Sequence, residues 1–256
     1  MIILGYKKKF HSKIIRTCVD ALKSGKAVVY PTDTSYGLAV DATNTKAIKK
    51  LYKIKGRNFN KPIHVVVPSL AYAKKIVEWG SMASKLTKKF FPGTLTLVLS
   101  IKNTVLSIEA IKKLTANTGF LGIRMPKNSI ALDLSKALKK PITATSANRS
   151  GQRDCYSAGD VVRQFSDRGG SPAIGGHSAS GGKPDIIIDA GKLAWRKPST
   201  VVKITPPNPL FRKEGEKGGV EVLRKGSIGL KQITDSLLNT KNTKLLNLSN
   251  KTFRIS

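Results

Sequence analysis

The chain has 256 residues, and 46 Lys and Arg against 15 Asp and Glu give it a formal net charge of +31. Its 40% apolar share is enough for a sizeable core and argues against a largely disordered chain, while the charge favours an anionic partner, nucleic acid or nucleotide phosphate. Cys18 and Cys155 make neither a disulfide framework nor a CxxC site, and three histidines without local Cys or His companions argue against a structural zinc.

In chain order, Ile14, Ile15, Cys18, Val19 and Leu22 recur at helical spacing, with Gly25 placed to end the helix. Ala27 to Tyr30 reads as a buried strand stopped by Pro31. Residues 45–55 are predicted helical, 64–67 a strand, and 70–78 and 82–90 helices. Phe91-Pro92-Gly93 is a turn into a strand over 95–100. A helix over 107–116, a strand over 121–125, a helix over 130–138 and a short strand from Ile142 follow. Small residues precede a helix near 157–165. Strands over 186–188, 201–204 and 220–223 and a helix over 227–238 complete the pattern. The segments 168–184 and 206–219, rich in Gly and Ser or Pro and Gly, read as mobile loops.

This alternation predicts an α/β fold with a twisted, open, mixed sheet flanked by helices. The sheet is mixed because several links are too short for parallel crossovers. The expected division is one domain over 1–238 and a polar tail over 239–256. No run reaches 18 apolar residues, so no membrane span is expected. The N-terminus lacks the layout of a signal peptide, and the expected location is the cytoplasm.

Three clusters can carry chemistry. Thr32, Asp33, Thr34 and Ser35 lie directly beyond a buried strand, where α/β proteins place ligand sites. The same residues also suit a turn that bonds its own backbone. Lys55 and Arg57 flank Gly56 at a helix end, fit for a phosphate clamp or for interaction with the helix terminus. Ser146 and Asn148, two apart after a short strand, point to one side if the chain is extended and suit a phosphate or ribose. Arg124 closes a strand and fits a carboxylate or phosphate contact, or a plain surface charge. His64 reads as core or rim. There is no GxxxxGK[ST] and no GxGxxG, so a nucleotide site here must use separated side chains. No Ser/His/Asp set and no paired carboxylates stand out. The site reads as one that holds and positions anions.

PTDTSYGL at 31–38, KGR at 55–57, FPGTLTLVL at 91–99, LGIRMP at 121–126, SANRSG at 146–151, PSTVV at 198–202 and VLRKG at 222–226 occur together and in order. Over about residues 10–238 the chain resembles the YrdC/Sua5 family of threonylcarbamoyl-AMP synthases. The resemblance implies a twisted α/β sheet around a deep, positively charged cavity. It implies a reaction of L-threonine, bicarbonate and ATP, with Mg²⁺ accompanying ATP, that yields threonylcarbamoyl-adenylate and pyrophosphate. A separate transferase then modifies adenosine 37 of tRNA.

By the same resemblance, Thr34 with Thr32 beside it contacts threonine, and Arg124 contacts its carboxylate. Lys55 and Arg57 meet ATP phosphates, and Ser146, Asn148 and Arg224 complete the nucleotide site. Thr200 matches a position assigned to substrate. The resemblance implies no protein metal ligands. Departures are Val66 where many longer members have His, with His64 two residues earlier, and Asn58 where Pro often follows KGR. Only about eighteen residues follow 238, so the short, single-domain type is expected. The competing reading is a double-stranded RNA-binding or ribosome-assembly factor of the same fold that lacks the activity.

Overall fold

The computed structural model describes residues 1–102, 106–166, 182–205, 219–238 and 252–254. Its strands are β1 (Ile2–Gly5), β2 (Val28–Pro31), β3 (Tyr36–Ala39), β4 (His64–Val66), β5 (Leu95–Ser100), β6 (Phe120–Arg124), β7 (Ile142–Ser146), β8 (Ile186–Asp189), β9 (Thr200–Thr205), β10 (Gly219–Arg224) and β11 (Thr252–Arg254). Its helices are α1 (His11–Lys23), α2 (Thr45–Lys55), α3 (Leu70–Ile76), α4 (Ser81–Phe90), α5 (Ile108–Thr115), α6 (Ser129–Leu138), α7 (Ala158–Phe165) and α8 (Leu230–Leu238). None of these is long and apolar enough to cross a membrane.

Helices α2, α3, α5, α6 and α7 begin where short polar side chains take up free backbone donors. Asn44 accepts from Ala47 N at 3.1 Å ahead of α2, and Ser157 forms a capping box with Asp160 ahead of α7. Gly25 after α1 and Gly56 after α2 adopt φ of 73° and 57°, conformations that cost glycine little. Two strands lie where the sequence reading placed none. Tyr36–Ala39, read as part of a ligand turn, is strand β3, and Ile2–Gly5 is a strand that sequence reasoning missed. Most of 168–184, nearly all of 206–219 and the tail apart from β11 lie outside the described residues.

The strands form one sheet in the order β1-β8-β2-β3-β7-β4-β6-β5-β9-β10-β11. Parallel pairs (β1/β8, β2/β8, β4/β6, β5/β9) alternate with antiparallel ones (β2/β3, β3/β7, β4/β7, β5/β6), so the sheet is mixed as the short links require. Side chains alternate across it. On one face Val29, Leu38, Val65, Ile123, Leu97 and Val202 join a core with α2, α3, α4, α5, α7 and α8. On the other face Val28, Tyr30, Ala39, Val66 and Ile142 pack under α1 and α6.

That second layer is short. Its buried core stops at Val66 and Ile142. The same face continues through His64, paired with Ala144, and through Gly122, paired with Val98. These positions and the strand ends beside them form the floor of the site.

Candidate active site

The turn between β2 and β3 is held by Thr32. Its Oγ1 accepts from Thr34 N at 3.1 Å and Ser35 N at 3.3 Å and donates to Ser35 O at 2.7 Å. The turn bonds its own backbone, one of the two alternatives the sequence left open, and it also faces a cleft. Thr34 is buried, with its hydroxyl 3.1 Å from that of Thr32. Thr32, Ser35, Arg124 and Ser146 line an open cleft of about 290 Å³ over Tyr30 and Val66. Gly37 keeps that floor flat, since a Cβ there would lie 2.9 Å from the Tyr30 ring.

Arg124 ends β6 beside this turn. Its Nη2 donates to Asp33 Oδ1 at 2.7 Å, and Asp33 Oδ2 accepts from Lys127 N at 3.0 Å. Both side chains are nearly buried, at 11% and 3% exposure. Asp33 thus fixes the guanidinium without using all of its donors. Arg124 Nε is buried and has no hydrogen-bond partner.

Lys55 and Arg57 do not act as a pair. Lys55 is the last residue of α2 and is buried at 2% exposure. Its Nζ donates to Ser146 O at 2.6 Å, Asn148 O at 2.8 Å and Asn148 Oδ1 at 3.1 Å. An ammonium has three donors, and all three are spent. Burial, reinforced by Arg57, pushes Lys55 down to about 7. The three acceptors oppose that shift, and their geometry requires the ammonium. The lysine expected to grip phosphate thus spends its donors on the loop after β7. Gly56 then turns the chain, and Arg57 leaves in another direction. Its Nη2 donates to Pro62 O at 3.0 Å, and its buried Nε has no partner.

Ser146 and Asn148 do share a side, as the extended spacing predicts. Ser146 Oγ donates to Asn148 Oδ1 at 2.6 Å, and Asn148 Nδ2 donates to Gln152 O. The far wall comes from β10. Arg224 donates through Nε to Ser199 O at 3.0 Å and through Nη2 to Ser199 Oγ at 2.7 Å. Residues 190–199 bring Ser199 there from β8, pinned where Tyr36 Oη donates to Gly191 O at 2.8 Å.

Thr200 is not in the cleft. It is fully buried, and its hydroxyl donates to Ile228 O and accepts from Ile228 N, both at 2.9 Å. The hydroxyl expected to contact substrate is engaged by Ile228 on both its donor and its acceptor side.

Sequence reasoning named three participants without giving them a role. Asp33 had no visible partner, Ser199 was quoted only within a motif, and His64 was left between core and rim. The His64 imidazole lies against Gly122, where a Cβ would be 2.3 Å from its ring. Burial first, then the positive charges of Arg224, Arg124 and Arg57, push it down to about 3. The imidazole is neutral at ordinary pH, and three arginines from three elements surround it. Alternation along β4 was the only sequence signal that could have placed it here.

The fold and site together define an α/β protein with an open cleft lined in part by Arg124. The Sua5/YciO/YrdC family model, described as telomere recombination, matches residues 20–215, and the chain belongs to that family. The putative threonylcarbamoyl-AMP synthase of Methanocaldococcus jannaschii is 32% identical over 203 residues, 79% of this chain and 86% of that protein. The threonylcarbamoyl-AMP synthase of Pyrococcus abyssi is 32% identical over 218 residues, 84% of this chain but 57% of the longer relative. The crystal structure of P. abyssi Sua5 complexed with L-threonine superposes with a TM-score of 0.75 at 28% identity, covering 93% of this chain and 61% of that one.

Proposed function

We infer that this chain is an L-threonylcarbamoyladenylate synthase, with residues 1–238 as its catalytic unit. It joins L-threonine, bicarbonate and ATP into threonylcarbamoyl-AMP and releases pyrophosphate. The observation that carries this reading is the pair of orphan donors. Among the described residues, Arg57 Nε and Arg124 Nε are the buried side-chain nitrogens left without a partner. Such groups cost roughly 1–3 kcal/mol each unless a ligand completes them, and a guanidinium is completed by carboxylate or phosphate.

The reaction needs that arrangement. Threonine nitrogen and bicarbonate condense to a carbamate with loss of water, and a carbamate oxygen attacks the α-phosphorus as pyrophosphate departs. Both reactants are anionic, so their approach requires fixed positive charge and alignment. Arg124, oriented by Asp33, receives the threonine carboxylate. Thr32, Thr34 and the Ser146 side of the cleft receive its hydroxyl and amine. Arg57 and Arg224 receive the phosphates, and Ser146 and Asn148 receive the nucleoside end. Lys55 lends its charge from behind and holds that loop in place. No protein nucleophile is called for.

Mg²⁺ arrives as counter-ion of the ATP phosphates. The described residues contain no group of three or more His, Cys, Asp or Glu able to hold it, so no step is assigned to a protein-bound metal. The product passes to a separate transferase acting on tRNA, in the cytoplasm. The +31 charge suits direct contact with tRNA or other double-stranded RNA as well.

The test is incubation of the purified chain with ATP, labelled bicarbonate and L-threonine. Threonylcarbamoyl-adenylate and an equal amount of pyrophosphate are expected, and omission of any substrate should abolish both. Folded protein that yields neither would rule the assignment out.

A further inference from the structure

His64 has no assigned part in the reaction above, yet it lies on the same sheet face as Val66 and Ala144, which line the cleft with Arg124. It projects from β4 on the face shared with Ala144 of β7 and Gly122 of β6. The ring has room there because position 122 carries no side chain. No hydrogen bond from either ring nitrogen to a described residue holds this partly exposed side chain, although Lys55, Asn148, Ser199 and Asp33 are all tied down.

The charges that act on it are all positive. Arg124 comes from β6, Arg224 from β10 and Arg57 from the turn after α2. β7 presents Ala144 and Ser146, which carry no charge, and Val66 is its neighbour on β4. The nearby carboxylates are committed elsewhere. Asp33 is bonded to Arg124 and Lys127 N, and Asp154 acts on Lys55 and Arg224. Without a bound anion, a fourth cation at this point would have nothing to offset it.

Resting on the anion site inferred above, we propose that His64 is a proton-gated anion ligand. It takes up one proton as a polyphosphate settles against Arg57 and Arg224, and then donates a hydrogen bond to a phosphate oxygen. The proton comes from solvent or from partly protonated pyrophosphate, and no covalent bond changes. Nucleotide and pyrophosphate binding by this chain are thereby linked to proton uptake. As the arginine charges are neutralised by the anion, the penalty on imidazolium falls and the ring returns toward its ordinary range.

The experiment uses the whole chain and inorganic pyrophosphate. The chain has three histidines, so ¹³C-labelled imidazole signals can be assigned with H11Q, H177Q and H64Q. The free His64 signal should stay neutral down to about pH 4.5, and saturating pyrophosphate should make it titrate near 6.5. Calorimetry supplies an independent reading. With the ring restored to about 6.5, wild type should bind pyrophosphate about tenfold tighter than H64Q at about pH 5.5, and about equally at about pH 7.5.

If pyrophosphate binds while the His64 signal stays put and the affinity ratio is flat with pH, His64 is only packing against Gly122. The proposal then falls and the anion site survives. If pyrophosphate gives no heat and moves no signal, the anion site falls as well.

Discussion

Lys55→Met separates a brace from a clamp. Methionine keeps the length and apolar stem of lysine and removes the three N–H donors. Ser146 O and Asn148 O lose bonds of 2.6 and 2.8 Å, and Asn148 Oδ1 keeps only the Ser146 hydroxyl. Hydrogen bonds to a charged group contribute about 1.5–3 kcal/mol each, and a buried acceptor left bare costs about 1–3 kcal/mol. Against this, burying an ammonium at 2% exposure is itself costly, and the methionine stem recovers that part. The net expectation is a loss of about 3 kcal/mol, near the lower end for removing one partner of a buried charged network. Urea denaturation followed by tryptophan fluorescence should show the midpoint falling by about 1 M, with pyrophosphate binding weakened as the loop after β7 loosens. An unchanged midpoint would refute the brace.

Arg57→Gln should leave the unfolding midpoint within about 0.5 kcal/mol of wild type while turnover falls about 10²- to 10³-fold, the usual cost of losing one transition-state donor. Steady-state pyrophosphate release reads this. Thr200→Val breaks both bonds to Ile228 and should cost about 2 kcal/mol of stability, with KM for threonine unchanged in the folded fraction. A raised KM would return Thr200 to the substrate site. His64 also imposes an acid limit on stability. Its folded value of about 3 lies below the unfolded one, so between the two the unfolded state binds more protons and stability falls as pH drops. From about pH 6 to pH 4 wild type should lose about 2 kcal/mol that H64Q keeps, measurable by denaturation at both pH values.

The helices were legible because each carries an apolar stripe and a polar start or glycine end that acts locally. Asn44 and Gly56 bracket α2 by forces that need nothing beyond the helix itself. Strand β1 was not legible. Its apolar residues Ile2 and Ile3 are exposed at 60% and 50%, and its pairing depends on residues 186–189. β3 was masked by the hydroxyl-rich turn that precedes it.

The residue types of the site were legible, but their assignment to roles was less so. The spacing of Lys55 and Arg57 suggests a joint grip on phosphate, and one residue of positive φ between them sends the two cations to different tasks. The ring around His64 draws arginines from positions 57, 124 and 224, separations no local pattern can report. Thr200 shows the converse. A motif position read as substrate contact is occupied by a hydroxyl that pins the approach to α8.

The position of β8 in the sheet sets an order of events on the ribosome. β1 pairs only with β8, and β8 inserts between β1 and β2. Among the described residues β1 therefore has no strand neighbour until β8 is translated, roughly 10–40 s later at ordinary synthesis rates. During that interval Ile2 and Ile3 lie on an open strand edge, the kind of template that attracts other chains. The lysines at 7, 8 and 9 directly downstream place a dense positive charge beside that edge, so copies repel one another both before β8 pairs and afterwards, when β1 is still the outermost strand.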